Sequence, residues 1–157
     1  MLKKKFKNIK LIIYDFDGVM TNNQFILDSK GNESVTLNRG DGLAITFFKK
    51  LNINQIILSS EKNKIVNTRA KKLNIECFSG IDNKLNFLLK YIKEIKINPR
   101  DCCYVGNDIN DFETMSICGY KFCPNDSNKK IKKIAHKVFK SKGGDGVIRE
   151  MLDLIVT

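Results

Sequence analysis

Short apolar runs alternate with longer stretches in which apolar positions recur every three or four residues, from one end of the chain to the other. The runs at residues 10–14, 55–58 and 102–105 break off at Asp15, Ser59 and Gly106. Apolar runs of this length suit strands buried on both faces of a parallel sheet. A weaker run at residues 76–78 makes a fourth. Between them the helical period covers residues 41–51, 62–73, 84–95 and 110–117, and Asn98-Pro99 marks a turn before the third run. Residues 24–27 and 34–37, joined by Asp28-Ser29-Lys30-Gly31-Asn32, read instead as a β-hairpin. Strand–helix alternation predicts an α/β fold, a Rossmann-like three-layer α/β/α sandwich with a mainly parallel sheet and right-handed crossovers. Without repeats or a linker, residues 1–157 read as one domain.

Composition narrows the setting. No apolar run approaches the ~18–20 residues of a membrane span. The basic segment 1–10 is followed by an apolar stretch of residues 11–14 only, which Asp15 interrupts, too short for a signal peptide. A soluble, cytoplasmic protein without a membrane partner is expected. The formal charge of +11 comes from 28 Lys+Arg against 17 Asp+Glu, with the lysines scattered along the whole length. No aromatic residues interleave with them as a single-strand stacking platform requires, so no nucleic-acid partner is expected. The densest cluster, residues 129–133, reads as the solvated face of a short helix. The 5 cysteines form no CxxC pair and read as reduced, buried thiols. His136 is the only histidine, which argues against a histidine triad or a multi-His zinc site.

In open α/β sheets, ligands bind beyond the carboxyl ends of the strands. Those ends carry Asp15-Phe16-Asp17-Gly18, Ser59-Ser60-Glu61-Lys62 and Gly106-Asn107-Asp108-Ile109-Asn110-Asp111, while Lys84 opens the helix after the fourth strand. Carboxylates converging on one rim repel unless a cation lies among them. Oxygen donors without His or Cys favour Mg²⁺ over zinc.

Taken in this order, the four motifs resemble those of the haloacid dehalogenase-like phosphatases over essentially the whole chain. The resemblance implies that Asp15 is the nucleophile, forming an aspartyl phosphate. It makes Asp17 the general acid and base, and has Ser59 and Lys84 hold the phosphoryl oxygens. Mg²⁺ would be held by Asp15, the main-chain carbonyl of Asp17 and the Asn107/Asp108 pair, with Asp111 orienting Lys84. Only 25 positions separate Ser59 from Lys84 (84 − 59), room for one helix and one strand but no cap domain. A capless site is open to water, so a neighbouring subunit is expected to enclose it, through the hairpin flap near residues 24–37 or the Gly143-Gly144-Asp145-Gly146 segment. Read alone, those glycines make a flexible turn.

Arg39-Gly40-Asp41-Gly42 and the segment from Gly143 to Glu150 sharpen the likeness. They resemble the capless sugar-acid phosphatases, which include 3-deoxy-D-manno-octulosonate 8-phosphate phosphatases, nine-carbon acid 9-phosphate phosphatases and the C-terminal domains of some acylneuraminate cytidylyltransferases. Family members are typically Mg²⁺-dependent homotetramers serving sialic acid or lipopolysaccharide synthesis. The octulosonate enzymes usually carry Gly-Arg after the second-motif hydroxyl, whereas this chain has Ser60-Glu61-Lys62-Asn63, then Arg69 and Lys72. That pattern resembles the ketodeoxynononate and acylneuraminate 9-phosphate branch, and implies sugar-acid contacts from Ser60, Glu61, Arg69, Lys72 and Arg39. The leading expectation is therefore a 9-phosphate phosphatase. The alternatives are an octulosonate 8-phosphate phosphatase and a weakly active or non-catalytic module partnering a cytidylyltransferase.

Overall fold

A computed structural model describes residues 3–156. Six strands form the central sheet: β1 (Leu11–Tyr14), β4 (Asn54–Leu58), β5 (Glu76–Phe78), β6 (Cys102–Val105), β7 (Tyr120–Cys123) and β8 (Lys137–Val138). Two short strands, β2 (Ile26–Leu27) and β3 (Glu33–Ser34), form a separate antiparallel ribbon. The helices are α1 (Arg39–Lys50), α2 (Ile65–Leu73), α3 (Lys84–Glu94), α4 (Phe112–Ile117), α5 (Lys129–Ile134) and α6 (Val147–Ile155). Every pair in the six-stranded sheet is parallel, in the order β5-β4-β1-β6-β7-β8.

The strand periodicity of two explains the layers. Ile12, Tyr14, Ile57, Cys103 and Val105 point into one core, beneath α1, α2 and α6. Leu11, Ile13, Ile56, Leu58, Cys102 and Tyr104 point into the other, beneath α3, α4 and α5. The expected three-layer sandwich is thus present, and no helix of the described residues is long and apolar enough to cross a membrane. The five cysteines are unpaired, four of them buried.

Register sets the functional rim. Ile13 lies opposite both Ile56 and Tyr104, so β1 and β6 finish level and β4 runs one residue further. Asp15, Ser59 and Gly106 continue the ladder by one amide each, donating to Val105 O, Phe78 O and Phe122 O.

Several boundaries differ from the sequence reading, each for a local reason. Helix α1 starts at Arg39, not 41, because Asn38 Oδ1 caps Gly40 N at 2.7 Å. Helix α2 starts at Ile65, not 62, because Glu61 and Asn63 side chains accept from the amides two residues on and hold a turn. The hairpin pairs only 26–27 with 33–34, since Asp28 Oδ1 accepts from both Lys30 N and Asn32 N and closes the loop tightly. Residues 109–111 form a 3-10 turn before α4. The helix following Gly146 went unread: Val147, Ile148, Met151 and Ile155 give it an apolar face buried against α1. Strand β7, between β6 and β8, and the two-residue edge strand β8 also lie outside the sequence reading.

Candidate active site

Asp15 ends β1 and is 5% exposed. Its Oδ1 accepts from Phe16 N and from Lys84 Nζ, both at 2.8 Å. Lys84 is the first residue of α3, where Asn83 caps the helix. Its ammonium also meets Asp111 Oδ1 at 2.8 Å. Asp111 is saturated: Oδ1 takes the Tyr104 hydroxyl at 2.7 Å as well, and Oδ2 takes Asn107 N and Asp108 N at 2.9 and 3.3 Å. Asp111 therefore orients Lys84 and shapes the Asn107–Asp108 loop together. Tyr104 was not among the expected residues; its place as the penultimate residue of β6 is the only signal for it.

The charges in this floor do not cancel. Two buried carboxylates, Asp15 and Asp111, face one ammonium. Burial, reinforced by the charge of Asp111 and opposed by Lys84, pushes the Asp15 carboxyl well above its ordinary range. For Lys84, burial favours the neutral amine, but the two carboxylates outweigh it and raise its pKa.

A cavity of about 270 Å³ opens in front of Asp15, lined by Asp17, Ser59, Ser60, Glu61, Asn107, Asp108 and the unexpected Asn23 and Asn110. Lys84 and Asp111 are not among the residues that line it. Asp17 sits in a tight loop after β1 with Gly18 at φ +81. Thr21 Oγ1 donates to Asp17 Oδ1 at 3.2 Å and accepts from Gly18 N and Asn23 N. Partial burial raises the Asp17 pKa, with the charges of Glu61 and Glu33 adding to it and the Thr21 bond and Lys84 opposing. Ser59 is buried and its hydroxyl accepts from Glu61 N at 3.1 Å. Ser60 Oγ donates to Ile81 O at 3.0 Å.

The donor set fits a hard divalent cation. Asn107 is 9% exposed, and its Oδ1 is buried without a hydrogen-bond partner. Asp108 is exposed, and its Oδ1 is engaged by Ile109 N and Asn128 Nδ2. An orphaned carboxamide oxygen beside an uncompensated carboxylate matches oxygen-only ligation. Among the described residues no three His, Cys, Asp or Glu side chains form a ligand cluster on their own, so a cation here would also draw on Asn107.

Arg39, Arg69 and Lys72 are not gathered at this cavity. They line, with Lys64, a groove of about 1020 Å³ between β3, α1 and α2. The helical period explains it: Arg69 sits on the side of α2 that faces α1, and its guanidinium donates to Asn38 O at 3.0 Å. Of the expected sugar contacts, only Ser60 and Glu61 share the Asp15 cavity within one chain.

Comparison with known proteins places the chain in a family. Residues 2–151 match the family model of the haloacid dehalogenase-like hydrolases. A 3-deoxy-D-manno-octulosonate 8-phosphate phosphatase from Haemophilus influenzae is 30% identical over 156 residues, spanning 99% of this chain and 87% of the relative. A family hydrolase from Streptomyces avermitilis superposes with a TM-score of 0.94 at 36% identity, covering 99% of this chain and 88% of that one. The octulosonate 8-phosphate phosphatase of Moraxella catarrhalis, crystallised with a magnesium ion, a phosphate ion and a KDO molecule, gives 0.92 at 29% identity over 96% and 87%. The chain belongs to the haloacid dehalogenase-like hydrolases and is a phosphoric monoester hydrolase.

Proposed function

We propose that this protein is a Mg²⁺-dependent sugar-acid phosphatase working through an aspartyl phosphate on Asp15, with 3-deoxy-D-manno-octulosonate 8-phosphate as its first candidate substrate. The observation that carries the reading is that Asp15, which lines the cavity with Asp17 and Ser59, is ion-paired to Lys84, itself paired to Asp111. Asp15 attacks phosphorus, and the ester bond to the sugar oxygen breaks as Asp17 delivers a proton to it. Asp17 then removes a proton from water, which attacks the aspartyl phosphate and releases inorganic phosphate and free Asp15. Ser59 donates its hydroxyl proton to a phosphoryl oxygen, and Lys84 offsets the negative charge beside Asp15. Asp15, the Asp17 carbonyl and Asn107 would hold Mg²⁺, which supplies charge neutralisation between carboxylate and phosphate.

The leaving group must pass Asp17. A second pocket of about 200 Å³ shares Asp17, Asn23 and Glu61 with the phosphate cavity and adds Gln24, Glu33 and Asn63. Carboxylates and carboxamides suit the hydroxyls of a polyol chain, while Glu33 and Glu61 repel the carboxylate of the sugar acid. That carboxylate would be met in an oligomer by a neighbouring subunit's groove, whose Arg39, Lys64, Arg69 and Lys72 outnumber its one carboxylate, Glu33, and a homotetramer is the form that the resemblance implies.

The substrate choice reverses the first expectation from the sequence, because the named relatives act on the octulosonate ester. The nine-carbon 9-phosphates stay as the second reading, since Glu61 does line the cavity. Phosphate release from both esters, with and without Mg²⁺, tests this, together with Asp15→Asn, which should lose at least about 10⁴-fold in kcat. Turnover of the 9-phosphates alone selects the second reading. No metal-dependent release from either ester overturns this sugar-acid phosphatase reading in favour of a weakly active partner module.

A further inference from the structure

The glycine-rich turn ahead of α6 is not free. A Cβ on Gly143 would stand 2.3 Å from Gly18 O and 2.8 Å from Thr21 O, and one on Gly144 would stand 2.8 Å from Asn22 N. Real Cβ atoms essentially never come closer than 3.0 Å, so only glycine permits this approach. Gly144 N donates to Val19 O at 3.0 Å, and Gly143 N is fixed by Asp126 Oδ1 at 3.0 Å. The turn therefore braces the loop that carries Asp17.

What holds the turn comes from the other end of the sequence. Helix α6 has no side-chain cap from Gly146 at its own N-terminus. Its first amides are satisfied instead by Asp41, in the first turn of α1. Oδ1 accepts from Ile148 N and Arg149 N, both at 3.0 Å, across 107 and 108 residues. Asp41 is 2% exposed, and its Oδ2 is buried without a partner. One oxygen thus does all of its hydrogen bonding.

We propose that Asp41 is a positioning residue for the reaction: by gripping the N-terminus of α6 it seats the Gly143–Gly144 turn against residues 18–22 and so fixes Asp17 at the mouth of the cavity. This rests on the reading of Asp17 as proton donor. The Asp17 carboxylate is held by one hydrogen bond of 3.2 Å, from Thr21, and Thr21 lies fully buried against the turn. Releasing α6 loosens that support from behind, and displacing a reacting group by about 1 Å can cost about 10²-fold in rate.

The test compares Asp41→Leu, Asp41→Asn and Gly143→Ala in the full-length protein, using steady-state kinetics on the folded enzyme and amide hydrogen exchange. Asparagine keeps an Oδ1 acceptor and leucine does not. Asp41→Leu should lower kcat about tenfold or more with KM within about twofold, and Asp41→Asn should restore kcat. Exchange in Asp41→Leu should rise at residues 18–22 and Gly144 as well as at Ile148 and Arg149. Gly143→Ala should lower kcat similarly while the α6 amides stay protected, and it decides the matter where Asp41→Leu does not fold. Native kcat in folded Asp41→Leu and in Gly143→Ala overturns the proposal, as does asparagine faring no better than leucine. If the native protein turns over no phosphate ester, the reaction itself has been misread. The exchange data then decide the seating alone: loosening confined to α6 refutes it, and loosening that reaches residues 18–22 supports it.

Discussion

Two groups of charges in this molecule behave in opposite ways. At the sheet rim, Asp15, Lys84 and Asp111 are almost fully withdrawn from water, and each ion pair is 2.8 Å long. In the groove between α1 and α2, Arg39, Lys64 and Lys72 are exposed, and among the described residues none of the three makes an ion pair within 4.0 Å. Unit charges 4 Å apart interact by about 1 kcal/mol in water but about 4 kcal/mol near a protein surface, so the rim carries most of the directed electrostatics with fewer charges. Strand ends aim a side chain; an exposed helix face only displays it. The rim is organised within one chain, while the groove presents Arg39, Lys64 and Lys72 to solvent.

The sharpest way to break the rim is Asp111→Asn. An amide nitrogen in place of either oxygen would point a donor at the Lys84 ammonium and Tyr104 hydroxyl, or at the amides of Asn107 and Asp108. No flip of the amide satisfies all four donors. Disrupting such a buried network should cost about 3–5 kcal/mol in urea unfolding and weaken phosphate release with it. Unfolding within about 0.5 kcal/mol of the native protein would mean that the rim, like the groove, is only loosely coupled to its surroundings.

This contrast also decided what could be read in the sequence. Asp15, Ser59 and Gly106 follow unbroken apolar runs, so their position at the rim was legible from periodicity alone, and motif order added Lys84 and Asp111. Arg39, Arg69 and Lys72 carry no such positional signal, since a helix face is fixed only once its neighbours are known. Helix α6 and strands β7 and β8 were obscured in another way. Their apolar residues follow glycines or lysines that look like turn and surface, and the burial of α6 depends on α1, more than 100 residues earlier in the chain. The Asp41 cap is invisible for the same reason: Arg39-Gly40-Asp41-Gly42 reads as a motif without a partner until α6 is placed. Tyr104 was hidden inside an apolar run, where its hydroxyl has no reason to be noticed.

The groove can be tested by asking whose cavity it serves. Lys72→Ala should leave unfolding within about 0.5 kcal/mol, because its side chain is exposed. On the sugar-acid ester it should lose about tenfold in kcat/KM, the effect of one charged hydrogen bond. Re-assembling Lys72→Ala subunits with Asp15→Asn subunits should then raise the kcat/KM of the mixture above that of Lys72→Ala alone. The intact nucleophile of one subunit would work beside the intact lysine of the other. No gain on mixing would confine the groove to its own chain and erase the distinction drawn above.

The last test concerns Asp41, which is as buried as the rim yet lies beside the groove's Arg69. Burial pushes its carboxyl from 3.8 up to about 6, against the amides of Arg149 and Ile148 and the charge of Arg69, which all favour ionisation. Between those two pH values the folded chain holds a proton that the unfolded chain has already released. Asp41 therefore contributes most to stability at low pH, and that contribution falls as pH rises through about 6 and then levels off. Asparagine cannot ionise, so the unfolding free energy of Asp41→Asn should gain on the native protein between pH 4 and pH 7, by at most about 3 kcal/mol. Urea melts of both proteins at three pH values measure the gap. A gap that stays flat would show Asp41 ionised throughout, paired electrostatically with Arg69 as Asp15 is with Lys84, and the groove's arginine would then belong with the rim.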